Sequence, residues 1–406
     1  MPPVMSRLTF LPHFPLAVHP LLLFGVLLVA GVLGGELTRR ALHLPRITGY
    51  VLTGLALGPG GLDVITAPLL EKAWIFVDIA LGLLLFELGQ RLDVAWLIRE
   101  RSLLFTGILE SVLSFACVDT VLSLFGVAPL LAAVASAIGI STSPAVVMLV
   151  AKDLKAEGQI TERALHLVAL NSVIAFTVTT MLLAWMHQQY RAGWLVAALH
   201  PVYMLVGSLL LGYGAAMIAL FSGRWLGKDN ERQFVMLLAL VVVTVGAAHM
   251  LELSVLLAVL AFGVMVRYLD ARHDVVPIDV GRAGQLFFVV LFVVTGAKLA
   301  SAQLTSGVML GTAYVLARFA GKSAGVIAMM PFSRVRLRTG ALLCMALTPM
   351  SGLALAMVQG AGHVYPEFGA ELGDVMLFGV FLLELIGPLA VQFALGIGGE
   401  VAGENR

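Results

Sequence analysis

Long apolar stretches separated by short charged joints run through almost the whole chain. A helix that crosses a hydrocarbon core takes roughly 20 apolar residues, fewer or more where it is short or tilted. On that measure the pattern predicts thirteen segments, at about 18–38, 47–60, 70–90, 101–125, 128–151, 163–187, 197–223, 233–250, 253–268, 283–299, 305–330, 337–359 and 370–396. The first, "LAVHPLLLFGVLLVAGVLGG", is followed by Arg39 and Arg40 rather than preceded by basic residues, which reads as a retained helix and not a cleaved leader.

The charges between segments test this division, because a missed helix would swap the side of every later joint. With the N-terminus outside, nineteen of the 25 Lys and Arg fall on the cytoplasmic side, from Arg39, Arg40 and Arg46 through to Arg406. The opposite side receives Arg7, Lys72, Arg191 and Lys298, while Arg318 and Lys322 fall inside the eleventh segment. The positive-inside rule therefore supports thirteen spans, N-out and C-in, in a cell inner membrane.

Composition agrees: 60% of the 406 residues are hydrophobic and 12% charged, where a soluble globular chain carries about 25% charged residues. The expected class is an all-α polytopic membrane protein with the lipid bilayer as its solvent. A net charge of +1 gives no reason to expect nucleic acid as a partner. Cys117 and Cys344 lie far apart inside apolar runs, which suggests neither a disulfide framework nor a metal site. No metal or nucleotide motif appears, so no cofactor is expected and the chain does not read as an enzyme. Residues 1–396 read as one transport domain with a short cytoplasmic tail, 397–406.

An offset of about 206 residues relates the two halves (about 18–187 and 233–396, with a linking helix near 197–223). "ITGYVLTGLALG" resembles "SVLLAVLAFGVMV", "FELGQRLD" resembles "VVTGAKLA", and "GISTSPAVVML" resembles "ALTPMSGLALAM". Seven spans between partners insert the halves in opposite orientation, the inverted-topology arrangement of secondary transporters. In the third pair Pro144 and Pro349 lie mid-membrane. Each removes an amide donor and clashes with the preceding turn, so each span should break into two half-helices. Such backbone is tolerated at membrane depth only within protein or against a wet cavity, where half-helix ends form an ion site.

The stretches "LPRITGYVLTGLALGP" (44–59), "LLLFELGQRLD" (83–93), "STSPAVVMLVAKDL" (141–154), "ARFAGKSAGV" (317–326) and "LLELIGPLAVQFAL" (382–395) resemble the membrane domain of monovalent cation:proton antiporters, nearest the Kef-type potassium/proton branch. The resemblance implies the sodium/proton antiporter fold: a dimerisation domain, a core where two broken helices cross, an elevator motion, and a homodimer that exchanges a monovalent cation for protons. It places the ion site at Thr142, Ser143, Asn171, Ser172, Thr348 and Ser351. A basic residue, Arg318 or Lys322, would balance charge. In that family the helix matching the sixth span carries an acid beside the crossing; here Asn171-Ser172 stands there. Neither side chain has a titratable proton, although both can offer oxygen to a cation.

Another group must then hold the proton. Ionisable residues inside spans default to functional hypotheses. Asp78 has no local partner, and Glu110 lies near mid-depth of the fourth span; both are candidate proton carriers, the latter also as half of a buried pair with Arg318 or Lys322. Glu87 is expected to pair with Arg91 one turn away. Glu384, beside Gly387-Pro388, reads first as a packing or capping residue. His166 is expected to be a hydrogen-bonded helix contact. Two alternatives stand beside antiport: the same fold carrying an anion or organic solute on a cationic Lys322 at half-helix N-termini, and a transport-inactive sensor or partner subunit.

Overall fold

The computed structural model describes residues 19–42, 44–190, 194–227, 229–270, 283–299, 307–333, 335–350, 352–364 and 366–401. Among these the chain is all helix with no strand. The elements are α1 (Pro20–Leu42), α2 (Arg46–Leu57), α3 (Ala67–Arg91), α4 (Val94–Arg99), α5 (Arg101–Leu124), α6 (Pro129–Ile140), α7 (Pro144–Asp153), α8 (Gln159–Tyr190), α9 (Trp194–Leu226), α10 (Asn230–Met250), α11 (Val255–Leu269), α12 (Ala283–Leu299), α13 (Val308–Ser333), α14 (Leu337–Ala346), α15 (Gly352–Val364) and α16 (Pro366–Ile397). Each apolar segment of the sequence coincides with one helix, except the fifth and twelfth, which are each a pair of half-helices. The short α4 fills the joint after α3, capped by the Asp93 side chain, which accepts from Trp96 N at 2.8 Å. Eight of the helical stretches are long and apolar enough to cross a membrane on length and composition alone.

The inverted repeat is visible in the packing. α2 lies along α12 as its repeat partner α11 lies along α3, while α5 and its partner α13 pack on each other in the most extensive helix pair of the molecule. Glycines allow these approaches, as expected where helices associate without a hydrophobic gradient. Where α3 meets α11, a Cβ on either Gly89 or Gly263 would stand 2.9 Å from the other's Cα. In the α5–α13 seam, Gly321 and Gly325 rest on the backbone of Ser114 and Glu110. This G-x-x-x-G face sets how closely α13 can bring Lys322, which follows Gly321, to α5.

Charged joints gather at one end of the bundle. Glu87 binds Lys152 at 2.6 Å as well as Arg91 at 3.3 Å. Arg267 donates to the carbonyls of Gln90 and Arg91 at 2.9 and 2.8 Å. Arg338 donates to Ile397 O at 2.9 Å, and the Glu400 carboxylate accepts from Ile160 N and Thr161 N at 2.6 and 2.8 Å, pinning the end of the last helix to the start of α8. Arg46, Arg91, Lys152, Arg267 and Arg338, which the sequence assigns to one side, thus share one end.

Candidate ion site at the helix crossing

The two breaks meet. Pro144 opens α7 at its first turn, where a missing N–H costs nothing, and holds Ser143 in an extended conformation. The non-helical residues 141–143 lie against 347–350, and the Ser143 amide donates to Pro349 O at 2.9 Å. Thr142 Oγ1 donates across the crossing to Leu347 O at 3.3 Å. Thr348 Oγ1 turns back to Cys344 O at 3.4 Å. Ser351 lies outside the described residues.

α8 brings Asn171 to this point. Its amide Nδ2 donates to Thr142 Oγ1 at 3.4 Å, and its Oδ1 accepts from Ser111 Oγ on α5 at 3.5 Å. These are long contacts, so the amide oxygen and the threonine hydroxyl are lightly committed. Ser172 instead donates to Val168 O in its own helix at 2.8 Å. Thr142, Asn171 and Ser172 are 0% exposed, so the cluster is sealed from solvent.

Two cations from α13 manage the half-helix ends. The last carbonyls of α6 and α14 have no intrahelical partner and carry the negative end of each helix dipole. Arg318 spans both: Nε donates to Gly139 O at 2.8 Å, Nη2 to Ser141 O at 2.7 Å, and Nη1 to Thr348 O at 2.7 Å. One turn on, Lys322 Nζ donates to Ile140 O at 2.7 Å and to Glu110 Oε2 at 2.9 Å. Lys322 therefore sits at a half-helix C-terminus with its charge answered, which differs from the N-terminal placement that would suit an anion.

Of the acids expected to carry protons, Glu110 stands in this cluster, bound to Lys322. Asp78 does not join it; its Oδ2 meets His249 Nε2 on α10 at 3.0 Å. His166 accepts from Asp93 N at 3.1 Å and bonds Glu162 O at 2.8 Å, so both ring nitrogens are spent on backbone. Two neighbours of this cluster escaped the sequence reading. Ser111 could have been found from its place next to Glu110, and Tyr314, whose hydroxyl donates to Ala135 O at 3.3 Å, from its place one turn before Arg318. Glu384 was read as a packing or capping residue, yet it caps nothing: among the described residues neither carboxyl oxygen has a hydrogen-bond partner, and the side chain is 0% exposed.

The profile described as sodium/hydrogen exchanger, transmembrane, matches residues 24–395. The chain belongs to this exchanger family. Its fold is that of a solved exchanger: the sodium proton antiporter MjNhaP1 from Methanocaldococcus jannaschii at pH 8 superposes with a TM-score of 0.71 at 15% identity, covering 95% of this chain and 99% of the other. An electron microscopy map of the same antiporter gives a TM-score of 0.71 at 16% identity, covering 94% and 97%. No curated protein matches the sequence.

Proposed function

We propose that this exchanger moves a monovalent cation, potassium or sodium, against protons, binding it at the crossing of the two broken helices. The observation that supports this is the sealed cluster itself. Interrupted backbone meets there at membrane depth, with lightly committed oxygens on Thr142 and Asn171. Ser143, Thr348 and Ser351 stand in the same linkers, and Ser172 is next to Asn171. Alkali cations are bound by such neutral oxygens, and an interrupted helix pair is where a transporter offers them.

Arg318 neutralises the two carbonyl ends, and Lys322 and Glu110 neutralise each other. The resident charges thus balance without any transported ion. A cation that enters brings one charge too many, which couples its entry to loss of a proton. Because the cluster is closed to solvent, binding from either side requires movement. The resemblance to the exchanger family supports an elevator displacement of the crossing helices with α5, α8, α13 and α16 against the α2–α12 and α3–α11 pairs. The charge distribution supports an N-out, C-in chain in the inner membrane, and the family resemblance supports a homodimer of the Kef-type branch.

The test is proton movement in proteoliposomes after imposing a sodium or potassium gradient. Exchange should appear with the wild-type chain and weaken in Thr142→Ala and Asn171→Ala. Flux of anions without protons, or inertness toward both cations, would reject the reading.

A further inference from the structure

Resting on the exchange reading, we propose that Glu384 is the carboxyl that trades its proton for the transported cation. Glu384 lies inside α16, wholly buried, with both carboxyl oxygens unpartnered among the described residues. An ionised carboxylate in a dry interior costs several kcal/mol unless it is paired. The group is therefore stable in two conditions only: carrying a proton, or facing a cation.

Among the described residues no resident cation takes the second role. α13 contributes Tyr314, Arg318 and Lys322, which are spent on Ala135 O, on the half-helix carbonyls and on Glu110. On α14, Arg338 is bound to Ile397 O and Cys344 approaches Ser323 O. On α7, Lys152 pairs with Glu87, while Asp153 pairs with Arg46 of α2. Tyr50 of α2 is a neutral phenol, and Lys298 of α12 lies over the Trp74 ring. α6 carries no titratable residue, and the side chain of His363 on α15 is outside the described set. Among the described residues none of these groups reaches the Glu384 carboxyl oxygens.

Position ties this carboxyl to the crossing. Gly387, one turn along the same face, lets α16 rest on the second break: a Cβ there would stand 2.8 Å from Pro349 Cα. Pro388 has no N–H to give to the main-chain carbonyl four residues earlier, which belongs to Glu384 itself. One residue therefore presents an unpaired carboxyl and a freed carbonyl oxygen beside the break, a ligand pair suited to an alkali cation. The seven-span offset of the inverted repeat makes α16 the partner of α8. The helix that lacks an acid at Asn171-Ser172 thus has a partner helix that carries one, about two turns beyond the equivalent positions Leu377 and Phe378.

The exchange balances as Glu384–COOH plus cation giving Glu384–COO⁻ with the cation bound, and one proton released to the open side. Net charge in the core is unchanged, and Glu110, already ionised against Lys322, has no proton to release in its place. In proteoliposomes, Glu384→Gln should reduce sodium- or potassium-driven proton movement to that of empty vesicles, while Glu384→Asp retains exchange with altered cation dependence. If wild type exchanges and Glu384→Gln does so equally well, the assignment is overturned and the exchange reading stands. If wild type itself does not exchange, that reading fails first. A measurement free of folding defects is infrared difference spectroscopy on the wild-type protein. Sodium or potassium chloride should remove a protonated-carboxyl band, and Glu384→Asp should shift it. A band set indifferent to both salts overturns the proposal.

Discussion

Glu110 and Glu384 are both wholly buried, and their surroundings could hardly differ more. Glu110 faces an ammonium at 2.9 Å, held there because Gly321 and Gly325 let α13 lie directly on α5. Glu384 pairs with no charge among the described residues and sits on a helix whose next proline withholds a backbone donor. The first carboxyl has a permanent counter-ion and serves the assembly of two helices. The second is balanced only by a proton or by something that arrives. In a medium where each unpaired charge is expensive, the presence or absence of one neighbour separates a structural acid from an exchanging one.

That contrast can be broken by substitution. Glu110→Gln leaves Lys322 charged and unpaired, and should cost about 3–5 kcal/mol in thermal unfolding of the detergent-solubilised protein. Glu384→Met removes no partner and should unfold at the same or a higher temperature; a loss as large as that of Glu110→Gln would show that Glu384 is paired after all. Arg318→Lys shortens the fork that spans both half-helix ends. Each carbonyl it abandons should cost about 1–3 kcal/mol, with slower exchange as the second readout.

Subtler is the double variant Ser172→Asp with Glu384→Gln. An acid returned to α8 should restore part of the cation-driven proton movement that Glu384→Gln removes, and no recovery would mean that the two helices do not serve one site. Smallest of all should be His249→Ala, which frees Asp78 at a half-exposed position and is worth under about 1 kcal/mol. Exchange should be unchanged; a large loss would return Asp78 to the list of proton carriers.

Much of this molecule was legible in the chain. The two breaks could be placed to within a residue or two, because proline acts through its own missing N–H and needs no distant neighbour. The segment boundaries followed from hydropathy for the same reason, with α8 running a few residues longer at each end than its apolar core. The pairing of Glu87 with Arg91 was visible one turn away, although its tighter partner Lys152, 65 residues off, was not. Arg318 and Lys322 were indistinguishable as partners for Glu110, since both lie on one face of one helix. The division of labour between them depends on the fork geometry of the guanidinium and on where the glycine seam stops.

Sequence alone therefore determined the helices, their interruptions, the charged end and the neutral pair on α8, all properties carried within a turn or two of the residue concerned. Only the tertiary structure decided which buried charges are already balanced. Balance depends on distances across helices far apart in the chain, and for Glu384 the decisive fact is that no described residue pairs with its carboxyl, which no local pattern can encode.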